Sequence, residues 1–285
     1  MILLLHFPNK SVFLLLHDKR YKKHFQTTVL RHRQNIFIMK IDLRDIAILI
    51  IVRLDSIDRL ENTLMVIEYL IQYFNTNIYV WEISAHDNHV LSRLISSEVK
   101  YEFHQDYDPI LHRTKYINDL VKAIKEEYLA VWDADVIVPV EQVVQTAKYL
   151  RDGYEMVYPY KKYFYDTSYP IRKIYLEKRD INVFKLMSSF MKEMYLPNPV
   201  GGVFFANRQS YIDSGMEQEL FYGWGVEDGE RYNRWILQKR KMIQVEGAIY
   251  HLSHSRGRNS FISTEYDSII KRRLLFSTKK VTIQR

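Results

Sequence analysis

The chain has 285 residues, no cysteine, 47% hydrophobic residues and a formal net charge of +7. That length suits one large α/β domain or two small ones, and the hydrophobic share excludes a disordered chain. Without cysteine there is no disulfide framework, Fe–S cluster or thiolate zinc site. Any metal must be held by oxygen and imidazole, and a reducing compartment is expected.

The positive charge sits at the ends. Residues 1–40 carry eight Lys/Arg and one Asp, and residues 270–285 carry six Lys/Arg and no acid, whereas residues 41–269 hold 27 basic and 33 acidic residues. An acidic body lacks the basic face of a nucleic-acid enzyme, so no nucleic-acid partner is expected. Basic ends fit either peripheral contact with an anionic membrane or plain solvated termini.

Met1–Lys40 contains two short apolar runs, neither near the ~20 residues that span a bilayer. No charged stretch precedes the first run and no small-residue cleavage site follows the second, so a signal peptide is not expected. The segment reads as a basic peripheral extension, or as sequence ahead of a natural start at Met39. Order begins at Ile46–Val52, a continuous apolar run of the kind covered on both faces of a parallel sheet. It ends at Arg53-Leu54-Asp55-Ser56. Leu60, Leu64, Ile67, Ile71 and Phe74 predict a helix from about Ile57 to Phe74. Asn75-Thr76-Asn77 is expected as a turn, Ile78–Ile83 as a strand carrying Glu82, Val90–Ile95 as a short helix and Val99–Phe103 as a strand. Ile117, Leu120, Val121 and Ile124 predict a helix over Lys115–Glu127. Strand–helix alternation at this pitch predicts a doubly wound, mostly parallel sheet that binds ligand at the carboxyl ends of its strands, where Arg53, Glu82 and Asp133/Asp135 fall.

Leu129–Val138 is the centre of the chain: an apolar run, Asp133-Ala134-Asp135, and a second apolar run. Charges in a buried strand must lie at its exposed end or carry a cation, and carboxylates at i and i+2 can hold a divalent ion whose other ligands are diphosphate oxygens. Asp106-Tyr107-Asp108 has the same spacing with no apolar run leading into it. Beyond Pro139 come a helix over Val140–Arg151, a tyrosine-rich stretch over Tyr154–Tyr169 that reads as half-buried surface or a sugar-stacking wall, and a helix over Val183–Met194. Six of the nine glycines fall between Gly201 and Gly229. In Phe221-Tyr222-Gly223-Trp224-Gly225-Val226-Glu227-Asp228-Gly229-Glu230, glycines flanking Trp224 allow a tight loop. The acids after it suit a partly desolvated general base, a helix N-terminus, or both. His251 and His254, three apart after an apolar strand, suggest further metal ligands.

Four segments in this order, Asp133-Ala134-Asp135, Gly201-Gly202-Val203, Trp224-Gly225-Val226-Glu227-Asp228 and His254-Ser255-Arg256, resemble the GT-A glycosyltransferases. Within them they resemble the β-1,4-galactosyltransferase-like group and the galactosyltransferase-type domains of bacterial polysaccharide enzymes. The resemblance covers about residues 45–260. It implies a single GT-A domain over residues 41–262, with a nucleotide-binding half at 41–138 and an acceptor half at 139–262, between the extension at 1–40 and a basic tail at 263–285. It also implies inverting transfer of a hexose or N-acetylhexosamine from a UDP-sugar, dependent on Mn²⁺ or Mg²⁺, to an oligosaccharide or lipid-linked glycan acceptor. Asp228 would be the base and Glu227 would orient a sugar. Asp135, His254, Asp133 and His251 would serve the metal. Arg53, Asp55, Glu82, Arg113, Asp133 and Gly202 would bind the donor, and Trp224 and Tyr222 the acceptor. The family commonly runs three acids in its Trp motif, where this chain has Gly229. The animal enzymes are secretory and carry disulfides; a cysteine-free chain looks like a bacterial cytoplasmic relative, in peripheral contact with the membrane. Two other readings are a metal-dependent sugar nucleotidyltransferase, disfavoured because Arg53–Ile57 has no glycine, and a non-catalytic carbohydrate-binding relative, which would not need Asp228 and the metal ligands.

Overall fold

A computed structural model describes residues 3–7, 10–14, 39–195, 199–257, 268–273 and 275. Two compact units are distinguished, Met1–Met39 and Lys40–Arg285. In the first, strands β1 (Leu3–Phe7) and β2 (Lys10–Leu14) form an antiparallel hairpin with Leu3 opposite Leu14. The basic stretch around Arg31–Arg33 and the last ten residues lie outside the described residues.

The second unit is built on β3 (Ile41–Val52), whose residues from Ile46 to Val52 are all buried, as an apolar run with neighbours on both sides requires. Ser56 caps helix α1 (Ile57–Tyr73), its hydroxyl accepting from the Arg59 amide at 3.2 Å. Strand β4 (Phe74–Ser84) starts four residues earlier than Ile78, and Asn75–Asn77 lies inside it. Polar side chains extend the strand: Thr76 Oγ1 donates to Ile46 O at 2.8 Å and Asn77 Nδ2 to Arg44 O at 3.3 Å, where β3 is bulged. Helix α2 (Val90–Leu94) and strand β5 (Lys100–Gln105) follow, then α3 (Arg113–Ala123), which buries Ile117, Leu120 and Val121.

The Leu129–Val138 segment is two strands. β6 (Tyr128–Trp132) runs parallel to β3 in the large sheet, while β7 (Val136–Ile137) belongs to a second sheet. The chain bends at Asp133–Asp135, where the Val136 amide donates to Asp133 O at 3.2 Å. After α4 (Val140–Arg151) come β8 (Met156–Tyr158), β9 (Lys162–Asp166), α5 (Ser168–Lys178) and α6 (Asn182–Met187). Helix α6 stops well short of Met194, because a 3-10 turn at Ser188–Phe190 leads into β10 (Lys192–Glu193), which pairs with β9. β11 (Val203–Asn207), α7 (Arg208–Asp213), α8 (Glu227–Leu237), β12 (Met242–Gln244) and β13 (Gly247–His251) complete the unit. The large sheet has the order β12-β8-β11-β6-β3-β4-β5 and is parallel except where β11 inserts; the small sheet has the order β10-β9-β13-β7. Among the described residues, no helix is long and apolar enough to cross a membrane.

Candidate metal and catalytic site

The bend between β6 and β7 puts Asp133 and Asp135 at the junction of the two sheets. Pairing in the small sheet then sets their neighbours: His251 lies opposite Val136 across β13–β7 and opposite Asp166 across β13–β9, and Leu252 N donates to Asp135 O at 2.7 Å. Asp135 Oδ2 consequently faces His254 Nε2 at 3.2 Å and His251 Nε2 at 3.8 Å. One ligand atom from each of the three residues lies within 4.8 Å of the others. Ligands about 2.0–2.2 Å from a shared divalent ion stand about 3–4 Å apart, so the set fits a cation.

The other face of each ring is anchored. His254 Nδ1 lies 2.8 Å from Ser255 O, and His251 Nδ1 lies 3.3 Å from Asp166 Oδ1, which also accepts from the Ser253 hydroxyl. A carbonyl and a carboxylate on Nδ1 leave Nε2 as the ligating nitrogen of both rings. Burial opposes charging of His251, yet Asp135 and Asp166 outweigh it and raise its pKa above 6.5. The Asp135 carboxyl is drawn well below its ordinary range: burial raises it, but His251, His254 and Arg59 prevail. Arg59 Nη1 lies 3.6 Å from Asp135 Oδ2, and Arg59 Nε donates to Asp55 Oδ1 at 3.0 Å, which ties Asp55 to the cluster.

Asp133 is the other arm. Arg113 Nη2 donates to its Oδ1, and its amide donates to Gly202 O at 2.9 Å. Burial lifts its pKa to about 6 against the pull of Arg113, with Asp135 and Asp228 adding to the rise. Asp228 comes from the first turn of α8. Arg231 Nη2 donates to its Oδ1 at 2.6 Å, while its Oδ2 lies so close to the Gly201 backbone that a Cβ there would sit 2.6 Å away. A side chain at Gly201 would therefore displace the Asp228 carboxylate, and the Tyr160 hydroxyl fixes Gly201 by donating to its carbonyl at 2.7 Å. Gly202 has φ +82, with Phe164 and Ile249 against it.

Arg231 is fully buried between Asp228 and Glu217, donating to Glu217 Oε1 at 2.8 Å with its guanidinium 3.8 Å from the Phe204 ring centre. Removing the cation would strand Glu217. Arg231→Met is expected to cost about 3–5 kcal/mol in urea unfolding, more than an exposed ion pair ever returns.

The Trp224 loop turns through Gly223 (φ +72), Gly225 (φ +111) and Val226 (φ +66) before α8 begins. A β-branched residue in the left-handed region is strained, and here it immediately precedes the two acids. Glu227 is buried with no hydrogen-bond partner for Oε2; burial first, then the Asp228 charge, pushes its pKa to about 7. Because the folded state keeps this proton above the ordinary value of 4.5, it binds more protons than the unfolded chain between those values. Stability contributed by this group thus falls as pH rises through that window and then levels off. Glu227→Gln is expected to raise stability at neutral and higher pH, by on the order of 2–3 kcal/mol, with the difference vanishing in acid; thermal melts across pH test this.

Two other expected donor residues, Arg53 and Glu82, have partners of their own. Arg53 donates to Ile83 O at 3.0 Å and Asp108 O at 2.7 Å, and its Nη2 lies 3.6 Å from Asp106. Glu82 is buried, accepts from Tyr101 at 2.8 Å on Oε2 and has no partner on Oε1. Among the described residues, no hydrogen bond or ion pair joins Arg53 or Glu82 to Asp133 or Asp135. The Tyr222 hydroxyl donates to Asp108, and the half-buried Trp224 ring has the Arg256 guanidinium 5.6 Å from its centre. Asp106 and Asp108 thus brace the loop after β5 through Arg53, Tyr116 and Tyr222. Gly229, where a third acid is common in the resembled family, packs against Leu275, whose Cδ1 would lie 3.4 Å from an added Cβ.

Residues 182–256 match the family model described as the N-terminal domain of galactosyltransferase. No curated protein sequence matches the chain significantly. Among solved structures, the mannosyltransferase PcManGT from Pyrobaculum calidifontis, in complex with GDP-Man and Mn²⁺, aligns at 13% identity over 93% of this chain and 72% of its own, with a TM-score of 0.52. The catalytic domain of Drosophila beta1,4galactosyltransferase 7 in complex with xylobiose aligns at 14% identity over 80% of this chain and 79% of its own, TM-score 0.50. A mutant of that enzyme with manganese, UDP-Gal and xylobiose aligns at 13% identity over the same shares, TM-score 0.50. The chain has the GT-A fold.

Proposed function

We propose that this protein is an inverting, metal-dependent glycosyltransferase that moves a hexose or N-acetylhexosamine from a UDP-sugar to a glycan hydroxyl. A GT-A fold, a galactosyltransferase sequence pattern over residues 182–256 and a cation-binding triad together support a metal-dependent glycosyltransferase that uses a nucleotide sugar. What supports the reading is the cation triad of Asp135, His251 and His254, with Asp133 two residues from Asp135 and feeling the charges of both Asp135 and Asp228. That is the spacing of jobs an inverting transfer requires, a cation on the leaving diphosphate and a base behind the acceptor oxygen. Solved relatives of this fold hold UDP-Gal with manganese and GDP-Man with Mn²⁺.

In this reading Asp135, His251 and His254 hold Mn²⁺ or Mg²⁺, which supplies Lewis-acid stabilisation of the departing diphosphate. Arg113, held by Asp133, lies beside the diphosphate. Asp228 takes the acceptor hydroxyl proton on Oδ2, the oxygen over Gly201, while Arg231 keeps Oδ1 oriented. The acceptor oxygen then forms its bond to the anomeric carbon as the bond from that carbon to the diphosphate breaks, with no covalent enzyme intermediate. Glu227, about half protonated near neutrality, donates or accepts a hydrogen bond to a sugar hydroxyl, and Trp224 walls the acceptor side. Glu82 and Arg53 stand at the ends of β4 and β3 on the nucleotide side, where Arg53 steadies the loop after β5. Residues 41–138 form the nucleotide half and 139–262 the acceptor half. A growing surface polysaccharide or lipid-linked oligosaccharide, extended in a bacterial cytoplasm at the inner membrane face, suits the basic ends of the chain.

The test is nucleotide release from a panel of UDP-sugars and GDP-mannose, with Mn²⁺ or with EDTA. Turnover of one UDP-sugar that EDTA abolishes would name the donor. Turnover of GDP-mannose alone would move the base specificity, and absence of any UDP or GDP binding with Mn²⁺ or Mg²⁺ would sink the transferase reading.

A further inference from the structure

The residues beyond His254 return to the site. Residues 268–273 and 275 are helical, and Lys271 within that helix is 5% exposed. A buried ammonium is costly unless its protons are placed on acceptors. Lys271 Nζ donates to the Trp224 carbonyl at 2.6 Å. The neighbouring turn is closed on both sides: a Cβ at Gly223 would meet Ile110 Cγ2 at 2.9 Å and Lys271 Nζ at 3.8 Å. In the first turn of α8, Gly229 packs against Leu275. Three residues with positive φ, Gly223, Gly225 and Val226, give this loop a backbone that does not hold itself by ladder hydrogen bonds.

We propose that Lys271 is a positioning residue that fixes the Trp224 loop, and with it the approach of Glu227 and Asp228, from outside the sequence motif that carries them. The ammonium donates to the Trp224 carbonyl and so orients it, and the loop enters α8 at one angle. Its bearing on acceptor binding rests on the transferase reading; its hold on the loop does not.

Hydrogen exchange on the full chain tests this, with wild type, Lys271→Met and Lys271→Arg compared. In the wild type, the Phe221 and Tyr222 amides, which donate to Gln218 O and Leu220 O at 3.1 Å each, should be protected. Lys271→Met keeps the stem and loses the donor, and should speed exchange there by about tenfold, while β3 and β6 exchange as before. Lys271→Arg should restore protection. The proposal is overturned if the wild-type loop is unprotected, if Lys271→Met leaves the loop unchanged, or if it loosens the whole domain equally. The wild-type result stands even where Lys271→Met does not fold. Calorimetry with UDP and Mn²⁺ runs alongside: unaltered UDP affinity in a variant with a loosened loop confines Lys271 to the acceptor side. No UDP binding by the wild type ends the transferase reading while leaving the exchange result to decide Lys271.

Discussion

Replacing Asp228 with Asn is expected to lower kcat by about 10²–10⁴ while UDP affinity in the presence of Mn²⁺ stays within a factor of about two. The split follows from position. Oδ2 lies over Gly201, and Arg231 holds Oδ1. None of the three triad residues is hydrogen-bonded to Asp228, so the metal ligands keep their partners, and loss of the Asp228 charge only eases ionisation of Asp133. Asn preserves the volume and can still accept from Arg231 through its carbonyl, and Arg231 keeps Glu217, so the buried cation remains compensated. A fall in kcat accompanied by a large drop in melting temperature would mean that Asp228 holds α8 and is not the base. Steady-state kinetics on the donor identified by nucleotide release, with melting as the control, separate the two.

The second large effect is expected at Asp135. Asp135→Asn should abolish Mn²⁺ binding measurable by calorimetry and reduce transfer by at least about 100-fold, whereas Asp106→Asn should leave metal binding intact. Both acids belong to an Asp-x-Asp, yet their partners differ. Asp135 faces two Nε2 atoms, and Asp106 faces a guanidinium and the Tyr116 hydroxyl. Undiminished Mn²⁺ affinity in Asp135→Asn would remove the triad as the metal site.

Much of this arrangement could be read from the chain alone because its strands are apolar on both faces. Ile46–Val52 and Leu129–Trp132 could be placed in a covered parallel sheet, and the acids that end such runs stand out. The bend at Asp133–Asp135 could not be read: apolar residues on both sides of a break look the same whether the chain continues straight or passes to another sheet. Val136 and Ile137 are as buried as Leu129, and only their pairing with β13 tells them apart. Asp166 and Ser253 went unseen for the same reason, since the contact between His251 and Asp166 depends on a parallel pairing across 85 residues. Arg59, in the first turn of α1, carries no local sign of its contact with Asp135. Arg231 sat in what reads as the polar face of α8, but is wholly buried because Glu217 and Asp228 meet it there. Long-range charge pairing overrides local pattern in each case.

Because the triad draws its ligands from positions 135, 251 and 254, it has no counterpart in the unfolded chain. A cation that binds only the folded form adds about 2.7 kcal/mol at a concentration one hundred times its Kd. That increment is a large share of a typical domain's stability. The ion would then act as a clasp as well as a reagent, fastening the end of β13 to the bend between β6 and β7. Chelation would shorten the life of the protein before any question of turnover arises, and the supply of divalent cation in its surroundings would set how much of it persists.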